Sequence, residues 1–192
     1  MPRPAKFHED TLLDAARTAV LRHGRDATLA QVAATAGAPI GSLYHRWASR
    51  DYLFGSLWLR SIRRFQVGLL EAHGQSDPHH ALLTCALHIP RYCRNHPGEA
   101  LAMTLYRQSA LLTRVDEPLR SQVATVNDDI VAGLRILTRQ RYGRITQRRL
   151  QLVRLACEQA PYGVIRPLVG GEIPAFYDDV VRAAADAILN LG

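Results

Sequence analysis

The side chains able to do chemistry fall into three groups, and only one has a spacing that a known chemistry needs. The first is His79, His80, His88, Cys93 and His96. Cys93-x-x-His96 has the spacing of half a metal site, but it spans the expected end of a helix and no matching second pair follows. The second is the acid pairs Asp128-Asp129 and Asp178-Asp179. Adjacent residues diverge by about 100° around a helix, so neither pair makes a shared-carboxylate site. A P-loop, a Gly-x-Ser-x-Gly elbow and a dinucleotide fingerprint are all absent from the sequence. These patterns read as a chain that is not an enzyme, with no cofactor and no metal. The third group is Thr28, Ser42, Tyr44, His45, Arg46 and Arg50. Hydroxyls, an imidazole and guanidiniums gathered in one short stretch are the types that bond phosphate oxygens and base edges of duplex DNA.

That stretch, Thr28 to Arg50, carries its own positioning signals. Thr28 is an N-cap candidate, and Gln31 three residues on completes a capping box. Val32 and the alanines make a compact apolar helix. Ala36-Gly37-Ala38-Pro39 ends it, since Gly tolerates positive φ and Pro lacks the N–H that would continue the ladder. Pro also suits the start of a new helix, expected from Ile40 to Trp47. Leu43 and Trp47, at i and i+4, take its buried face. Tyr44, His45, Ser42 and Arg46 stay on or near the open one. Two short helices across a Gly-containing turn present the second to a DNA major groove.

The compound pattern is Ala33-Ala34-x-Ala36-Gly37, then Gly41-Ser42-Leu43-Tyr44-x-x-Trp47-x-Ser49-Arg50-Asp51-x-Leu53. It resembles the N-terminal domain of the TetR family of transcriptional regulators, which usually shows Gly-Thr-Leu/Ile-Tyr-x-x-Phe followed by Ser-Lys-Glu-x-Leu. The match runs back through Leu12-Leu13-Asp14-Ala15-Ala16 and Gly24 to roughly residue 8, about a quarter of the chain. The resemblance implies phosphate contacts from Thr28, Tyr44, His45 and Arg50, with Ser42 able to reach phosphate or base. Pro39, Ile40 and Gly41 would lie closest to the bases. Here the chain departs from the family, which often has Ser or Thr and then Lys or Arg at the positions of Pro39 and Ile40. Ile can touch a thymine methyl but cannot hydrogen-bond guanine. Direct readout then leans on Arg46, Ser42 and an N-terminal basic arm with Arg3 and Lys6. That arm either reaches the backbone or minor groove or is an ordinary solvated terminus.

The rest of the chain reads as helix throughout. The formal net charge of the 192 residues is +7, and all 24 basic residues but Lys6 are arginine. A basic balance favours a polyanionic partner without requiring one. Residues 8–23 form a first helix. A long fourth one starts at the N-cap Ser49 and keeps apolar spacing to about His73. Further helices are expected over 79–93, 99–113 and from Asp116-Glu117-Pro118 to Tyr142. An eighth is capped by Thr146 and stops before a connector bracketed by Pro161-Tyr162-Gly163 and Val169-Gly170-Gly171. The last starts at Pro174. Cys85, Cys93 and Cys157 form no even disulfide framework. With no signal peptide and no apolar run of ~20 residues, the expected location is bacterial cytoplasm.

The expected architecture is all-α: a three-helix helix-turn-helix domain over 1–50 and a larger helical effector-binding and dimerisation domain over 51–192, about nine helices in all. The resemblance implies a repressor that binds a palindromic double-stranded DNA operator as a homodimer through its last two helices and is released by a small-molecule effector. Candidate effector contacts are His88, Tyr92, Met103, Tyr106, Arg107 and Asn127. The alternative is a helical small-molecule-binding or scaffold protein whose head no longer reads DNA.

Overall fold

The structure, a computed structural model, describes residues 8–192. The expected arm residues Arg3 and Lys6 lie outside the described residues. Every regular element among the described residues is helical. The chain divides into two compact units, one of residues up to Ile62 with Gly98–Thr125, the other of Arg63–Pro97 with Val126–Gly192.

The first unit opens with α1 (Glu9–His23), α2 (Leu29–Ala36) and α3 (Ile40–Arg46), followed by the first part of α4 (Arg50–His73). Ser49 caps α4 as the sequence suggests, its Oγ accepting the Tyr52 N–H at 3.1 Å. Leu12, Ala16, Val20, Val32, Leu43, Trp47, Phe54 and Leu57 bury themselves together as one core. Three short helices complete the unit: α6 (Pro97–Met103), whose first residue falls in the other unit, α7 (Gln108–Leu112) and α8 (Leu119–Thr125). Leu111 and Leu119 close on Gly55 of α4, where a Cβ would stand only 3.0 Å and 3.3 Å from their methyl carbons. Residues 98–125, expected in the effector portion, therefore pack in the same unit as the helix-turn-helix.

The second unit comprises the remainder of α4, α5 (Pro78–Asn95), α9 (Asp128–Tyr142), α10 (Gln147–Arg154), α11 (Ala160–Ile165) and α12 (Tyr177–Leu189). Leu82, Cys85, Ala86, Leu134, Leu137, Val153, Cys157, Val181 and Leu189 form its core. Asp178 pins the start of α12: burial works to raise its pKa, but hydrogen bonds and charge from Arg94 and Arg91 outweigh this and hold it below the usual value.

Three boundaries differ from the sequence reading. The helix expected over 99–113 breaks after Met103. There the backbone tightens, with Thr104 N–H bonding Leu101 O and Leu105 N–H bonding Ala102 O. Trp58 Nε1 donates to Met103 O at 3.1 Å, and Arg25 donates to Thr104 O. The helix expected to reach Tyr142 breaks between α8 and α9, where Gln66 Nε2 donates both to Val126 O at 2.8 Å and to Asn127 Oδ1 at 2.9 Å. Conversely, Pro161 does not end the helix before it. A π turn at Leu155–Gln159 widens the spiral, and Pro161 then sits in the first turn of α11, where a missing N–H costs little.

Two imidazoles are set into glycine gaps of the second unit. A Cβ on Gly68 of α4 would stand 2.3 Å from His88 Cε1, and one on Gly133 of α9 would stand 2.1 Å from His73 Nδ1. His88 Nε2 also lies 2.8 Å from Phe65 O. Burial lowers the pKa of both histidines, for His88 against a smaller upward pull from that carbonyl and from Glu71. Burial thus favours the neutral rings in the folded chain, while the unfolded chain protonates near the ordinary 6.5. The unfolded state binds more protons below that pH, so stability is full above it and falls with acidification. The urea midpoint should be flat from pH 8.5 to 7.5 and drop between pH 7 and 5, with a smaller drop in His88→Gln; equal drops in both proteins would contradict this account.

Candidate nucleic-acid interface

The geometry of the head begins with α2. The capping box is complete: Thr28 Oγ1 accepts the Gln31 N–H at 3.3 Å, and Gln31 Oε1 accepts the Thr28 N–H at 2.9 Å. Gly37 takes the left-handed conformation at φ 61°, and its N–H returns to the carbonyls of Ala33 and Ala34. That turn needs no side chain, and it delivers Pro39 as the residue before α3.

α3 then has two distinct faces. Leu43 is fully buried, and Trp47, just past the helix end, is buried with its Nε1 donating to Ser56 Oγ at 3.2 Å. On the other face Ile40 and Tyr44, one turn apart, are 44 % and 54 % exposed. Pro39, Gly41 and His45 are exposed as well, while Ser42 and Arg46 are half-buried. Thr28 is exposed at the start of α2. The structure therefore brings the predicted residues 28 and 39–46 into one head, with the apolar pair Leu43 and Trp47 turned inward as the spacing implies.

Arg50 makes contacts that the sequence reading does not include. Its Nε donates to Ala27 O at 3.1 Å and its Nη2 to Arg25 O, and the guanidinium lies 4.8 Å from the Phe54 ring centroid. Both carbonyls lie within three residues before the Thr28 cap. Arg50 is a strut between the first turn of α4 and the start of α2. Nothing in the local sequence foretells this, because the partners lie more than twenty residues upstream. A second unforeseen tie is Asp51, which accepts the Tyr106 hydroxyl at 2.6 Å and has Arg114 at 3.8 Å. Burial, then the bond to Asp51, pushes the Tyr106 phenol well above its ordinary pKa, so it remains a donor.

The expected effector residues are not brought together within either unit. Met103, Tyr106 and Arg107 belong to the first unit, and His88, Tyr92 and Asn127 to the second. His88 and Tyr92 make tilted and edge-on ring contacts with Phe65, His96 and each other, with centroid separations from 4.6 to 5.5 Å. Asn127 is engaged by Gln66. A groove of about 460 Å³ between α9 and α10 is lined by Val131, Leu134, Arg135, Leu150 and Arg154, among others, and by none of the six candidates. Among the described residues no cluster of three or more His, Cys, Asp or Glu could hold a metal ion, and Cys93 is buried, its thiol pushed up to about 11 by burial.

Residues 12–57 match the family model described as bacterial regulatory proteins, tetR family. That match covers the head, and the chain as a whole has the fold of solved TetR-family transcriptional regulators. The likeness in fold extends over nearly the whole chain. The TetR family transcriptional regulator PfmR from Thermus thermophilus superposes with a TM-score of 0.72 at 20% identity, covering 93% of this chain and 97% of that one. The ketosteroid transcriptional regulator KstR2 of Mycobacterium tuberculosis gives 0.70 at 17% identity, covering 97% and 95%. AibR, in a complex with isovaleryl coenzyme A and operator DNA, gives 0.68 at 14% identity, covering 94% and 97%. No curated protein matches the chain.

The strut separates two roles for Arg50. Arg50→Ala should lower the unfolding free energy by about 1–2 kcal/mol through the loss of two carbonyl bonds and the ring contact. A urea melt that leaves the variant as stable as the parent would assign Arg50 to DNA contact alone.

Proposed function

We propose that this chain is a transcriptional repressor that binds a palindromic operator as a homodimer and is released when a small molecule binds its body. The observation that carries the reading is the head itself: a capped helix, a left-handed glycine turn and a second helix whose outer face, Ile40 and Tyr44, is exposed while its inner face holds the core. A family model for bacterial regulatory proteins covering that head supports it. In this reading residues 1–50 bind DNA and 51–192 serve effector binding and dimerisation.

The head residues divide by chemistry. Thr28, Tyr44 and His45 hold phosphates, and Arg50 adds to them from its strut position. Ser42 and Arg46 serve the groove edge, and Pro39, Ile40 and Gly41 face the bases. Arg3 and Lys6 add positive charge from the amino terminus. Two heads in successive major grooves would be centred about one helical turn, ~34–36 Å, apart. The effector is a small molecule, a reading supported by AibR with its coenzyme A thioester and by KstR2, named for ketosteroids. It acts only through unequal affinity for the DNA-bound and free arrangements. His88, Tyr92, Met103, Tyr106, Arg107 and Asn127 remain the proposed contacts. The proposed location is the cytoplasm; no helix among the described residues is long and apolar enough to cross a membrane.

Self-association through the last helices is supported by apolar side chains with no cover in the single chain. Tyr162, Phe176, Val180 and Leu191 are 41 %, 57 %, 43 % and 59 % exposed. Val180→Asp should shift the protein from dimer to monomer in sedimentation and leave its melting temperature as a monomer measurable; a wild-type sedimentation profile would move the seam elsewhere.

The DNA half is tested by selecting duplexes from a random pool and measuring binding by gel shift. A single enriched near-palindrome is the expected result. Tyr44→Phe removes only the hydroxyl of an exposed ring and should weaken binding about tenfold on specific and random duplexes alike, as loss of a phosphate hydrogen bond does. Equal binding by parent and variant would remove Tyr44 from the phosphate set.

A further inference from the structure

The outward face of α3 is unusual for a surface that must discriminate bases. Its most exposed members are Ile40, Gly41, Tyr44 and His45. Ile40 has no polar atom on its side chain, so it has nothing to offer a guanine or adenine edge. It has instead a branched apolar tip held out from the head. The one apolar feature on the major-groove edge of a base pair is the C5-methyl group of thymine.

Gly41 is the second observation. Its backbone is not in the positive-φ region, and a Cβ added there would meet nothing within 4 Å. Neither conformation nor packing asks for glycine. Helix stability argues against it, since alanine is the better helix former by up to about 1 kcal/mol. The missing side chain is explained if another surface approaches the backbone closely at that point. The flank beside Ile40 is then the part of the head that seats deepest.

We infer that Ile40 is a specificity-determining residue that reads a thymine methyl in the operator, with Gly41 left bare so that the helix can close on that base pair. This rests on the regulator reading above and deepens it by stating what the reading helix prefers. Arginine that grips guanine is replaced by apolar contact. Discrimination at this position is therefore between bases with and without a 5-methyl group.

The test uses the full chain and the duplex it enriches from a random pool. Each thymine is replaced in turn by uracil, which removes the methyl and nothing else. At one thymine per half-site, uracil should weaken binding about three- to fivefold, the scale of one buried methyl. Ile40→Ala should bind the thymine duplex about as weakly as the parent binds the uracil one, and should show no further loss on uracil. Gly41→Ala should melt no lower than the parent yet lose at least tenfold in affinity. Uracil tolerated at every position, an undiminished uracil effect in Ile40→Ala, or parental affinity in Gly41→Ala would each overturn the inference while leaving the regulator reading intact. Failure to enrich any sequence would overturn that reading itself, and this inference with it.

Discussion

Helices of eight and seven residues do not hold themselves together in water. α2 and α3 have those lengths, so the head exists only because its inner faces are buried. Leu43, Val32 and Phe54 are fully buried and Trp47 almost so. Burial of this kind contributes about 1.5–3 kcal/mol for each large side chain. The capping box, the glycine turn and the Arg50 strut then fix where each short helix begins. Those details would mean little without the core, and the core alone would leave the helix starts loose.

Charge is used inside the first unit with the same economy. Glu99 is 2 % exposed, a position where a lone carboxylate is costly. Ser61 donates to its Oε2, and Arg17 and Arg60 stand 3.6 and 3.9 Å from its Oε1. Arg60 is shared further, with Asp14 at 2.9 Å and Asp10 at 3.3 Å. The network ties α1, α4 and the start of residues 98–125 within one unit. A buried charge of this kind tolerates few arrangements, because separating the partners leaves one of them unpaired. It also explains why a boundary drawn from sequence at residue 50 does not coincide with the compact units: the partners of Glu99 lie on helices more than thirty residues earlier.

What could be read from the sequence was what local chemistry decides. The Thr28–Gln31 cap, the Gly37 turn and the inward pair Leu43 and Trp47 each follow from residues within a few positions of one another, and all are present. The misreadings share the opposite character. The breaks at Met103 and at Val126-Asn127 are made beside donors from elsewhere in the chain, Trp58, Arg25 and Gln66. Pro161, a local breaker, is absorbed by a π turn that no periodicity announces. The Arg50 strut has distant partners too. The effector candidates lie on different elements, and spacing along one helix cannot say which of them share a lining.

The division of labour on α3 bears on how such a head changes its target. The inward residues are fixed by packing, where the loss of one large side chain costs several kcal/mol. The outward residues Ile40, Gly41 and Tyr44 contribute little to the fold, being exposed or, for Gly41, facing open space. Substitutions on that face are therefore nearly free in stability and felt only at the partner surface. A head built this way can keep its framework while its preference drifts. The Pro39-Ile40 departure fits that pattern: Pro39 makes no demand on the framework beyond an extended residue before α3, and in the proposed reading Ile40 offers apolar contact in place of hydrogen bonding while Leu43 stays buried.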